Sequence, residues 1–266
     1  IGAGIGLSAN VRKGVIDKLE YENEKGLSIT LYINGKKGSA SSSDFSDNAL
    51  ENTVEAAFNI AKHASHDKHA GLVEKTLMAK NIADLDLYHP CSISPEAAIE
   101  LAIECEQSAF NYDKRISNSD GSVVSTYSGI NLYGNTNDFI NGWRWSNHTI
   151  DCTVIAEDNN GMQRDGWYSK ACDFNDLQSL KDISKEAARR ATMRLGAQKL
   201  STGEVPVIFE APVASGLFSA FITAISGASL YRRASFLLDK KNTQVFANHI
   251  NIFENPHMKK ALGSAP

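Results

Sequence analysis

Hydrophobic and polar positions alternate from Ile5 to Ser43 in a way that extended chain satisfies and helix does not. Val15-Ile16-Asp17-Lys18-Leu19-Glu20-Tyr21 is largely alternating, and Leu27-Ser28-Ile29-Thr30-Leu31-Tyr32-Ile33 almost strictly so. Successive strand side chains point to opposite faces, so a period of two predicts β-structure. Asn34-Gly35 then supplies residues that tolerate the positive φ angles of a tight hairpin turn. An antiparallel sheet is expected to open the chain.

The period then lengthens. Ser46 suits a helix N-cap with Asp47 in the first turn, and Leu50, Val54, Ala57, Phe58 and Ala61 fall on one helical face that ends near His63. Ser94-Pro95-Glu96 starts a second helix, with proline at the first helical position, running through Ala98, Leu101, Ala102 and Cys105 to about Tyr112. These two helices are expected to cover one sheet face. From Lys114 to Cys172 the chain turns β-branched and aromatic, with turn signals at Asp120-Gly121, Gly134-Asn135 and Asn160-Gly161. That spacing predicts an antiparallel meander of about four or five strands, with Trp143 and Trp145 on one face. A third helix is expected from about Ser184 to Leu195, turning Ala187, Ala188, Ala191 and Leu195 inward, with Gly196 at its C′ position. Val205 to Phe209 reads as a short apolar strand, and Val213 to Ile225 as a buried helix.

These elements predict an α+β fold of antiparallel sheets covered by helices. A large N-terminal domain is expected over residues 1–203, followed over 204–266 by the beginning of a C-terminal domain that reads as incomplete. Both ends read as cut.

Composition narrows the function. Of 266 residues, 42% are hydrophobic and 22% charged, so a real core is expected. A formal charge of −4 offers no general attraction to phosphate, which argues against nucleic-acid binding. The basic clusters Arg189-Arg190 with Arg194, and Arg232-Arg233, lack an interleaved aromatic platform. Cys91, Cys105, Cys152 and Cys172 are scattered with no Cys-x-x-Cys pair, and read as reduced, mostly buried thiols. No segment approaches the roughly 20 apolar residues needed to span a bilayer. A cytoplasmic location is expected.

Candidate chemistry is sparse. His63, His66 and His69 could share a helical face as zinc ligands do, yet they sit at a polar helix end without an apolar second shell. Glu20, Glu22 and Glu24 line one strand face, but lack the apolar surroundings that raise a carboxyl pKa for acid–base work. Ser39-Ala40-Ser41-Ser42-Ser43 forms no nucleophile elbow, and neither Gly2, Gly4 and Gly6 nor Ser226-Gly227-Ala228 makes a phosphate loop.

Several stretches together resemble the PmbA/TldE branch of the TldD/PmbA family, known as modulators of DNA gyrase. They include Gly35 to Ser42, Asp84 to Pro90, Val154 to Asp158, Leu200 to Thr202, Pro206 to Phe209, Gly216 to Phe218 and Ser229 to Asp239. The resemblance implies peptide proteolysis by a TldD-type subunit that carries His-Glu-x-x-x-His, two imidazoles for zinc and a carboxylate that activates the bound water. By approximate alignment this chain has Ser219 and Ala224 where the imidazoles belong and Ala220 where the carboxylate belongs.

The resemblance therefore implies a non-catalytic, metal-free subunit. Zinc is expected in a homologous TldD-like partner, within a homo- or heterodimer that handles small unfolded peptides, with addition as a strand to a sheet edge as one way to hold them. Tyr231 and Arg232 are the expected peptide or partner contacts. A stand-alone regulator of a gyrase-linked protein is the alternative.

Overall fold

A computed structural model describes residues 1–266. Six strands, β1 (Gly2–Arg12), β2 (Val15–Ile33), β3 (Lys36–Ser42), β4 (Ile116–Asn135), β5 (Phe139–Asp158) and β6 (Gly161–Ala171), form one antiparallel sheet in the order β3-β2-β1-β4-β5-β6. Helices α1 (Asp47–His63), α2 (Pro95–Phe110), α3 (Leu180–Met193), α4 (Ala211–Ile225) and α5 (Gly227–Tyr231) complete the chain. It divides into two compact units, Ile1–Ala197 with Asn255–Pro266, and Gln198–Glu254. The α+β class expected from the sequence is the class observed.

Turn chemistry sets the register. Asn34 and Gly35 take φ of 50° and 71° between β2 and β3, and Lys13 and Gly14 take 55° and 72° between β1 and β2. The second turn has a brace in the core: fully buried Glu106 of α2 accepts hydrogen bonds from the Lys13 and Gly14 amides at 2.8 and 2.7 Å. Asn160-Gly161 is a true turn, capped by Asp158 Oδ1 accepting from Asn160 N at 2.7 Å.

The meander is built from fewer strands than expected: three, β4, β5 and β6. Asp120-Gly121 does not turn the chain. The register with β5 shifts between Ser119 and Gly121, and Gly121 absorbs the bulge at φ 124°, with Asn10 Oδ1 so close that a Cβ would meet it at 2.6 Å. A glycine–aspartate pair signals positive φ, and a bulge uses that as well as a hairpin does.

All three larger helices of the first unit lie on one side of the sheet. Leu7, Ala9 and Val11 of β1 pack with Val124, Ile150, Cys152 and Val154 against the alanine faces of α2 and α3. Leu7 pairs with Tyr21, and the same parity along β2 reaches Leu31, which pairs with Gly38. Gly38 is where α1 sits: a Cβ there would lie 2.1 Å from Ala57 O and 2.3 Å from Ala61 N. Glycine permits a backbone-to-backbone approach that any side chain would block.

The caps at Ser46 and Ser94 form as expected, accepting from Ala49 N and Ala97 N. Helix α3 starts a turn earlier than its apolar pattern suggested, because Ser179 rather than Ser184 is the N-cap, its Oγ accepting from Asp182 N at 3.2 Å. Ala187, Ala188 and Ala191 are fully buried.

Two expectations for the second unit fail. Val205 to Phe209 belongs to no strand: nothing lies alongside to pair with its amides, and Ile208 is 97% exposed. Val213 to Ile225 is helical, as α4, but buries only Ala224. Length identified the helix, and apolar composition alone could not show that anything covers it.

Candidate functional site

Ser219, Ala220 and Ala224, the expected degenerate metal positions, lie on α4. Pro212 occupies its first turn, Glu210 precedes it without a side-chain cap, and its hydroxyls turn back on the helix itself. Ser219 Oγ donates to Ser215 O at 3.0 Å, and Thr223 Oγ1 donates to Ser219 O at 2.9 Å. Ser219 and Ala220 are exposed and Ala224 is buried. After α4 the chain folds back: Ser226 caps α5, Ser235 Oγ donates to Ala224 O at 2.7 Å, and Ala234 N donates to Ser229 O at 2.9 Å. Tyr231 and Arg232 end α5 on the exposed side of this loop. A cleft of about 720 Å³ runs between the Phe221, Ile222 and Ile225 side of α4 and residues 244–254, where Phe221 and Phe246 meet edge to face at 5.0 Å. Its walls are mostly apolar, which suits a ligand or chain held by contact rather than by charge.

In the first unit a polar node ties residues 84–92 to the sheet. Ser146 of β5 donates its backbone N–H to Leu87 O at 2.9 Å, and its Oγ accepts from His89 N at 2.7 Å. Fully buried His148 places Nε2 2.9 Å from His89 O. The His89 ring lies between Asp86, 3.0 Å from Nε2, and Asp173, 3.5 Å from Nδ1. Lys260 bonds Asp173 at 3.0 Å and Asp176 at 2.9 Å, and with the Asn175 amide it holds the Asp173 carboxyl down at about 2. The same contacts push the Lys260 ammonium up. The node reads as structural, since its charges neutralise one another instead of facing a shared ligand. Neither it nor the Glu106 brace was picked out in the sequence; Gly14 was the one local sign that a hairpin there needed support.

The other candidates resolve plainly. His63, His66 and His69 are exposed, and the His66 ring packs over Gly35 while Asp67 N donates to Gly35 O at 2.7 Å, closing the hairpin. Glu22 and Glu24 are exposed on the sheet face away from the helices, and Glu20 there pairs with Lys18 at 2.7 Å. All four cysteines are free, with Cys91 half-buried and the others buried. Cys105 and Cys152 contact each other between α2 and β5, which raises the Cys152 thiol. No helix is long and apolar enough to cross a membrane.

Residues 2–61, 88–195 and 202–266 match, in turn, domain 1, the central domain and the C-terminal domain of the PmbA/TldA metallopeptidases. The chain belongs to the PmbA/TldD family. It is 41% identical over 261 residues to the Metalloprotease PmbA of Escherichia coli O157:H7, and 41% identical to a PmbA homologue of Haemophilus influenzae. In each case the match takes in 98% of this chain but 58% of the relative. A solved candidate modulator of DNA gyrase from Bacteroides thetaiotaomicron superposes with a TM-score of 0.90 at 25% identity, over 99% of this chain and 60% of that one. TldE from Thermococcus kodakarensis shares the fold, with a TM-score of 0.75 at 16% identity over 90% of this chain and 54% of its own.

A metallopeptidase family implies a metal ion. Ser219, Ala220 and Ala224, expected from the resemblance to stand at the ligand positions of the family's catalytic branch, do not fit one. A zinc site needs several nitrogen, sulfur or carboxylate donors converging on one point. Here there is one hydroxyl already bonded to Ser215 and two methyl groups. Nowhere in the structure do three His, Cys, Asp or Glu side chains gather so as to hold an ion.

Proposed function

We propose that the full-length protein is the non-catalytic, metal-free subunit of a TldD/PmbA-type metalloprotease complex that processes or degrades small unfolded peptides. The donor chemistry of α4 carries this reading: with a hydroxyl and two methyls, positions 219, 220 and 224 can neither grip zinc nor accept the proton of a bound water. A homologous TldD-like partner supplies both. Exposed Tyr231 and Arg232 face that partner or the peptide. We place the complex in the cytoplasm, a reducing compartment that suits four free cysteines.

The relatives carry the name metalloprotease, so the decisive assay is hydrolysis of an unstructured peptide by the full-length protein alone, with a TldD-like partner, and with chelator added. Cleavage is expected only with the partner, and chelator abolishes it. Chelator-sensitive cleavage by the protein alone overturns the proposal. Arg232→Glu is expected to weaken the reconstituted activity, and full activity in that variant removes Arg232 from the interface. The second reading, a stand-alone regulator linked to DNA gyrase, draws on the name of the Bacteroides thetaiotaomicron structure. It gains if the protein leaves its homologue's cleavage unchanged.

A further inference from the structure

Strand β2 is longer than its partners can cover. Residues Leu27–Ile33 pair with β3 on one side, whereas Val15–Gly26 pair with β1 and have no ladder on the side away from it. No other backbone hydrogen bond reaches that stretch. The outward N–H and C=O groups there form an open sheet edge, which natural proteins either protect or use for strand addition.

The side chains on this edge are sorted by face. Lys18, Glu20, Glu22 and Glu24 share the parity of Gly4 and Gly6, on the side away from the helices. Lys18 is already paired with Glu20, which leaves the face acidic. Leu19 and Tyr21 have the parity of Ala9 and Leu7, on the helix side, yet remain 40% and 68% exposed. One face of the free edge thus presents carboxylates and the other apolar surface. A second copy of the chain is a poor occupant: antiparallel pairing centred on Glu22 would set Glu22 against Glu22 and Glu20 against Glu24, and like charges directly opposite destabilise a sheet. A strand with Lys or Arg at alternate positions and apolar residues between them complements both faces at once.

We propose that the Val15–Gly26 edge of β2 binds an extended, unfolded peptide segment as an added antiparallel strand, selecting lysine or arginine at alternate positions opposite Glu20, Glu22 and Glu24. This deepens the peptide-holding role proposed above, and rests on it for the unfolded peptide as ligand. Binding is tested on this chain directly, by fluorescence anisotropy with a twelve-residue peptide alternating lysine and valine and with the same residues rearranged so that the lysines are clustered. A glutamate–valine peptide serves as the charge control.

The alternating lysine peptide is expected to bind best, and to slow amide exchange at residues 15–26. Methylating its backbone nitrogens at positions of one parity abolishes binding, and at the other parity spares it. E20K/E22K/E24K weakens the lysine peptide about tenfold or more, as three exposed ion pairs together would, and admits the glutamate peptide. The inference is overturned if both methylation patterns bind alike, if residues 15–26 gain no protection, or if charge reversal changes nothing. If the lysine peptide does not bind and E20K/E22K/E24K merely aggregates, the carboxylates only guard the edge and the inference falls. Should peptide bind here while the reconstituted complex fails to cleave, the proteolytic reading falls and the edge stands; the reverse pattern removes the edge alone.

Discussion

The two compact units use apolar residues in opposite ways. In residues 1–197 with 255–266, small side chains do the packing: Ala9, Ala98, Ala102, Ala109, Ala156, Ala187, Ala188 and Ala191 are all fully buried, and they let α2 and α3 lie close on the sheet. In residues 198–254, large side chains face outward, among them Ile208, Val213, Leu217, Ile222 and Phe236. Burial follows from what an element can approach, and hydrophobicity alone does not determine it. The first unit has a core of its own. The second presents a large apolar surface of the kind that marks an interaction site or an aggregation hazard.

The contrast can be broken most sharply with one residue type placed in both units. Ile183→Ala, in a fully buried position of α3, is expected to cost about 2–5 kcal/mol in denaturant unfolding. Ile208→Ala, at 97% exposure, should stay within about 0.5 kcal/mol; a large loss there would show that the second unit's apolar surface is covered in solution. Glu106→Ala removes the acceptor of two backbone amides and should cost about 2–4 kcal/mol, with Glu106→Gln recovering part of it because an amide oxygen still accepts. Equal losses in the two variants would mean that packing volume contributes little and that both carboxylate oxygens are needed as acceptors.

Gly38→Ala forces a methyl against the α1 backbone and should cost about 1–3 kcal/mol, read as earlier thermal melting. The smallest effect concerns acid. The Asp173 carboxyl sits at about 2 in the folded chain against an ordinary 3.8, so its contribution is complete above about pH 4 and disappears as pH falls through about 2. Asp173→Asn should lower stability slightly at neutral pH and flatten the curve between about pH 4 and 2, the two proteins converging below about pH 2. An unaltered acid limb would show that Lys260 does not hold this carboxyl in solution.

Local signals in the sequence were reliable where the physics is local. Ser46 and Ser94 cap helices because a hydroxyl three residues ahead of an amide needs nothing else, and Asn34-Gly35 turns the chain because its φ preference is its own. The same reasoning failed at Asp120-Gly121, where glycine's freedom serves a bulge whose need comes from β5 and Asn10, far away in sequence. Val205 to Phe209 failed for a related reason: a strand exists only where a neighbour accepts its hydrogen bonds. At the candidate site, the lack of nitrogen, sulfur or carboxylate donors at Ser219, Ala220 and Ala224 was legible because it is a matter of residue identity. The apolar cleft beside α4 was not, since residues 244–254 carry no periodic pattern that announces a wall.

The length of β4 and β5 has a mechanical outcome. A strand from Ile116 to Asn135 extends about 65 Å at roughly 3.3 Å per residue, farther than the alanine layer beneath it reaches. Toward the 136–138 turn the ribbon is wet on both sides, with Ile130, Tyr133 and Ile140 in contact with solvent. Its tip is moored by Asn137 donating to Val73 O at 2.8 Å and by the Lys75–Asp138 pair. Fraying should therefore begin at that mooring and travel inward, so the polar segment around residue 75 governs how often the far end of the ribbon opens.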